Sequence, residues 1–159
     1  MKTWNRFLVL GLVTIITAIM FVGCGSSDIS EGVAKNDYPI TINGVTLNSQ
    51  PTGVAVLSQN IADVILTGGF EATLKAKSED CTQEDLSILP NLTIDDAQEM
   101  KSLGVTLVLV DEAPTEQQTA ALQAQGIQVL AISPAKSRDD CKRLYREVGS
   151  AMVGGNTGY

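Results

Sequence analysis

The chain has 159 residues, 44% hydrophobic and 4% aromatic, with 11 Lys and Arg against 18 Asp and Glu for a net charge of −7. This acidic balance, with no basic cluster, excludes a nucleic-acid binder, whose partner's phosphates must be neutralised by Lys and Arg. Histidine is absent, which excludes imidazole acid–base catalysis and histidine metal triads, and no glycine-rich phosphate loop is present.

The first element is a targeting segment. Lys2 and Arg6 precede a run from Phe7 to Gly23 that is apolar or small throughout and ends at Cys24. A basic start, an apolar core and a small residue before a break form the layout of a secretory signal. The alternative, an uncleaved membrane helix, sits at the short edge of a span. Phe21-Val22-Gly23-Cys24 resembles the bacterial lipobox, which implies that residues 1–23 are a lipoprotein signal peptide and that Cys24 is acylated after cleavage. Acylation at both the thiol and the new amino terminus gives the two or more chains that stable anchoring requires. Residues 24–36 are small, polar and without periodicity, so they read as a flexible tether.

The remainder, residues 37–159, alternates strands and helices. Tyr38–Ile42 and Val45–Leu47 flank Asn43-Gly44, the signature of a tight β-hairpin. Val54–Leu57 is a short apolar run expected of a strand buried on both faces. A helix over Asn60–Leu66 is stopped by Gly68-Gly69. Ala72–Ala76 reads as the next strand, and Cys81–Leu92 as an irregular stretch containing Pro90. Ile94–Leu103 is expected to be a helix with Asp95 and Asp96 in its first turn, favourable against the helix dipole. Val105–Val110 and Ile127–Ile132 read as buried strands, Thr115–Gln125 and Ser137–Met152 as helices. Parallel neighbours need crossover connections, so this order predicts an α/β, Rossmann-like three-layer lobe: a mostly parallel sheet flanked by helices and preceded by the hairpin. Such sheets bind ligands at the carboxyl ends of their strands.

Several stretches carry a resemblance. Pro51-x-x-Val54-x-x-x-Ser58, Gly68-Gly69, Leu89-Pro90, the run Leu103–Val110 and Leu122-x-x-x-Gly126-Ile127-x-Val129-x-x-Ile132 together resemble the N-terminal lobe of helical-backbone ABC-transporter solute-binding proteins. Two features depart from the family pattern: Gly53 stands where an arginine is usual, and Gly104-Val105-Thr106 lacks the usual Pro and Asp. The resemblance implies a lipid-anchored receptor, exported to the cell exterior or periplasm. It would hand an iron-siderophore, haem or cobalamin-type ligand to ABC permease subunits and catalyse nothing. It also implies a second lobe, so the chain reads as one lobe of a two-lobe protein. No cofactor and no resident metal are expected.

By position, the resemblance assigns ligand contacts to the loops after the strands: Ser58, Gln59 and Asn60; Lys77, Ser78 and Glu79, with Asp80; Asp111, Glu112 and Ala113; and Ser133. Ser58 and Asn60 are equally suited to capping the following helix, and Lys77 to lying in solvent. The resemblance further assigns permease docking to acidic residues, here Asp95, Asp96 and Glu99, which would otherwise serve as a charged helix start. Cys81 and Cys141 form an even pair in an exported chain. A bond between them would close a loop of roughly 60 residues, worth about 3–4 kcal/mol on the chain-entropy account; two free thiols are the alternative. Two other functions remain open. A surface lipoprotein binding a protein partner would need aromatic or Arg anchors, which are scarce here. A small Rossmann-like enzyme would need a nucleophile with a base, and without histidine nothing is spaced to supply one.

Overall fold

The computed structural model describes residues 38–155. The expected signal peptide (1–23), the expected lipidation site Cys24 and the expected tether (24–36) lie outside the described residues, as do residues 37 and 156–159. Asn43 and Gly44 both take positive φ, 48° and 82°, as a primed hairpin turn demands. They join β1 (Ile40–Ile42) antiparallel to β2 (Val45–Leu47), with Thr41 opposite Thr46 and their hydroxyls 3.0 Å apart.

The next strands are β3 (Val54–Val56), β4 (Leu74–Lys77), β5 (Leu107–Val110) and β6 (Gln128–Ala131). They form one parallel sheet in the order β4-β3-β5-β6. The helices are α1 (Gln59–Thr67), α2 (Ala97–Ser102), α3 (Glu116–Ala124) and α4 (Arg138–Val153). Successive strand residues point to opposite faces, and the core divides accordingly. Val54, Val56, Leu107, Leu109 and Leu130 pack with Ile61 and Ile65 of α1, Leu144 and Val148 of α4, and Ile42 and Leu47 of the hairpin. Ala55, Ala76, Val108 and Val110 pack with Ala97 and Met100 of α2 and Leu122 of α3. The three-layer α/β architecture expected from the sequence is therefore present.

Both sheet edges meet further chain, which blunts the hazard of open backbone groups. Beyond β6, Asn43 Nδ2 donates to the Ala131 carbonyl at 2.9 Å and Gln128 Nε2 to the Thr46 carbonyl at 2.8 Å, fastening the hairpin. Beyond β4, Lys77 N donates to the Pro90 carbonyl and Leu92 N to the Lys77 carbonyl, so the irregular stretch acts as an extra strand for one bridge. Tyr38 ties the start of the domain to the end of α4, its hydroxyl donating to the Ala151 carbonyl at 2.8 Å. Burial pushes this phenol up to about 12, opposed in part by the Gly154 backbone.

Local differences from the sequence reading have identifiable causes. Strand β4 starts at Leu74 rather than Ala72, because Glu71–Thr73 forms a 3₁₀ turn. Helix α2 starts at Ala97 rather than Ile94. Thr93 N and Oγ1 both donate to Asp96 Oδ2 at 2.7 Å, so the chain turns here before the helix begins. Asp95 and Asp96 thus precede the first turn instead of occupying it, and Glu99 is its acidic residue. These hydrogen bonds hold the Asp96 carboxyl below its ordinary value.

Candidate functional site

Strand β3 sits between β4 and β5, and the chain crosses from one side of it to the other after β4. The strand order reverses at that point, leaving a crevice outside the carboxyl ends of β3 and β5, where open α/β sheets take ligands. The backbone brings the loops level: Leu57 N donates to the Leu109 carbonyl at 2.9 Å and Ser78 N to the Val56 carbonyl at 3.0 Å.

A cleft of about 450 Å³ opens at this position, within the range of small-molecule sites. Its apolar lining comes from Leu57, Leu92, Ile94, Val110 and Pro114. Ser78, Glu79 and Asp80 after β4, and Asp111, Glu112 and Ala113 after β5, complete the wall. Gln118 closes one side and is already engaged, accepting from Thr115 and donating to Asp95 Oδ1 at 3.0 Å. The carboxylates of Glu79, Asp80, Asp111 and Glu112 have no ion pair or hydrogen bond among the described residues, where every ion pair lies on α4. No group of three or more Cys, Asp or Glu is arranged to hold a bare metal ion among the described residues.

The other residues assigned by position fall outside this wall. Ser58 is 1% exposed, and its hydroxyl accepts from Ile61 N as the N-cap of α1. Gln59 and Asn60 are exposed on the first turn of α1, away from the cleft lining. Lys77 is 7% exposed rather than solvated; its ammonium donates to Asn91 Oδ1 at 2.7 Å and to the Ser78 carbonyl at 3.3 Å. The Ser133 carbonyl accepts from Arg143 of α4 at 3.0 Å, which ties that loop to the opposite layer. Cys81 and Cys141 are both free thiols, the former buried and the latter exposed. The disulfide is therefore not formed: Cys81 packs under the sheet beside Val56 and Ser78, whereas Cys141 sits on the first turns of α4.

Asp95, Asp96 and Glu99 do lie together. They edge a shallow groove between α2 and α3 whose other lining residues include Ala97, Ala121 and Ala124. Sequence reasoning missed Leu57, Leu92, Ile94 and Gln118 in the cleft. Thr93-x-x-Asp96 and Thr115-x-x-Gln118 both have the capping-box spacing that marks a turn into a helix, and those turns position Ile94 and Gln118.

No protein-family model matches the sequence, and no curated protein matches it significantly. Solved structures do match. The haem-binding protein HmuT is 17% identical with a TM-score of 0.62, over 77% of this chain and 43% of that one. The chain shares its fold with part of that haem-binding protein. The apo haem-binding protein RhuT from Roseiflexus sp. RS-1 is 24% identical with a TM-score of 0.55, over 65% of this chain and 41% of that one. A periplasmic haem-binding protein from Pseudomonas aeruginosa is 13% identical with a TM-score of 0.56, over 63% and 38%. The chain thus spans less than half the length of each of these structures. All three are named as binding proteins rather than enzymes.

Proposed function

We propose that the chain is the solute-binding component, or one lobe of it, of an ABC importer for an iron-siderophore, haem or cobalamin-type ligand, exported and held to the membrane through Cys24. It binds without catalysis. The observation that carries this reading is the cleft at the carboxyl ends of β3 and β5, built on a fold shared with periplasmic haem-binding proteins. Lipobox and tether support it independently. Within the same reading, the groove bearing Asp95, Asp96 and Glu99 is the docking surface for basic residues of a permease, where complementary charge steers encounter.

The test is genetic and chemical. Deleting the gene is expected to abolish uptake of one labelled ferric chelate, haem or corrinoid. Restoring the chain brings uptake back, whereas Cys24→Ala loses incorporation of radiolabelled palmitate and releases the protein from the membrane. Unchanged uptake of all three ligand classes overturns the transport reading.

A further inference from the structure

We infer that the cleft selects a cationic metal chelate whose coordination is already complete, and discriminates against an anionic porphyrin. The inference rests on the solute-receptor reading above and names the ligand chemistry of that same site. Three observations lead to it. First, Glu79, Asp80, Asp111 and Glu112 all line the cleft, and among the described residues no Lys or Arg does. The neighbouring cation, Lys77, is buried and fastened to Asn91 and the Ser78 carbonyl, outside the lining. Glu79, Asp80 and Glu112 are exposed and Asp111 half-buried; a cleft lined by charge of one sign concentrates ligands of the opposite sign, and the two propionates of haem would meet these carboxylates unfavourably.

Second, among the described residues the lining contains no His, Cys, Tyr or Met. These are the side chains that hold haem iron axially, so the cleft offers a porphyrin iron none of its usual ligands. The four carboxylates do not substitute for them as a bare-metal site, since no metal-holding group of acidic or cysteine residues occurs among the described residues. The described residues of this lobe therefore add no axial donor and no cluster of donors to a metal held here. Third, Leu57, Leu92, Ile94 and Val110 give the cleft an apolar component, which suits the organic shell of a chelate better than a hydrated ion. Apolar surface with a few placed polar groups is the usual composition of a small-molecule site.

The experiment titrates the full chain in detergent and follows backbone amide NMR shifts of Ser78–Asp80 and Asp111–Ala113. The probes are the diamagnetic gallium(III) complex of desferrioxamine B, which carries a free ammonium, and the same complex N-acetylated, which replaces that charge with a small neutral amide. Gallium(III) protoporphyrin IX is the anionic comparison. The cationic complex is expected to bind about tenfold tighter than its acetylated twin at low salt, with the ratio falling toward one in 1 M salt. The combined variant Glu79→Gln, Asp80→Asn, Asp111→Asn, Glu112→Gln is expected to remove that ratio while its far-ultraviolet circular dichroism stays unchanged. Equal binding of the twins, or tighter binding of the porphyrin, overturns the inference and leaves the solute-receptor reading standing. Absence of shifts from every complex at millimolar concentration overturns both.

Discussion

The two ends of the parallel sheet differ in how their polar groups are satisfied. At the amino end, Thr106 Oγ1 accepts from Thr52 N at 3.2 Å and donates to the Gly53 carbonyl at 3.1 Å, and that carbonyl also accepts from Thr106 N at 2.8 Å. Gly53 lies so close to Gly104 that a Cβ would sit 2.2 Å from the Gly104 carbonyl oxygen. At the carboxyl end, four carboxylates around an open cleft have no partner among the described residues. One end is closed by mutual hydrogen bonding, whereas the other leaves charge unspent and holds it on loops over a rigid sheet. That division matches the rule that binding residues ride on loops positioned by a scaffold, and the general conflict between stability and site chemistry.

Substitutions at each end test this contrast. The largest effect is expected from Gly53→Val, which forces β3 and the Gly104 turn apart. Overpacking of this kind costs about 1–3 kcal/mol, read as a lowered urea midpoint with the cleft amides keeping their shifts. An unchanged midpoint would show that the amino end is not the fastened one. Thr106→Val keeps the shape but removes the hydroxyl, and about 1–2 kcal/mol of stability should go with its hydrogen bonds.

Acid provides a further test. The Ser137 hydroxyl, with the Lys136 amide, holds the Asp140 carboxyl below its ordinary value, and Thr93 does the same for Asp96. The folded state binds these protons less readily than the unfolded chain. The stabilisation is therefore present above the ordinary carboxylate range and is lost as pH falls through the depressed values. The Tm is expected to fall below about pH 4, and Asp140→Asn should flatten part of that fall. Tyr38 gives the opposite limb, since its folded value is raised to about 12. Stability should decline as pH rises past about 10, and Tyr38→Phe should remove that decline at a cost of about 1 kcal/mol in neutral solution. The smallest effect on stability is expected at the cleft itself. Neutralising Glu79, Asp80, Asp111 and Glu112 one at a time should change stability by no more than about 0.5 kcal/mol, with any change a gain at low salt. A loss of several degrees in Tm would show that these carboxylates are structural.

Much of the scaffold was legible because its signals are local. Asn43-Gly44 specifies a turn by backbone freedom, and the apolar runs at Val54 and Leu107 are too short for a helix and fit strands buried on both faces. The loops carrying Glu79 and Asp111 were legible too, because in a parallel sheet every strand's carboxyl end meets the same rim. Ser58, Lys77 and Ser133 share that rim by chain position, yet they turn to a helix cap, to Asn91 and to Arg143. The contrast between buried Cys81 and exposed Cys141 was equally hidden, since Cys81 enters the packed core while Cys141 faces outward from α4.

The alternation of elements, the hairpin and the acidic character could be read from the chain alone, because each depends on residues close together in it. Only the tertiary structure decided which rim residues face one another, since the strand order β4-β3-β5-β6 joins loops far apart in sequence. Side-chain direction at a strand end is set by whichever hydrogen-bonding partner the packed layers bring within reach, and that partner is not written in the neighbouring residues.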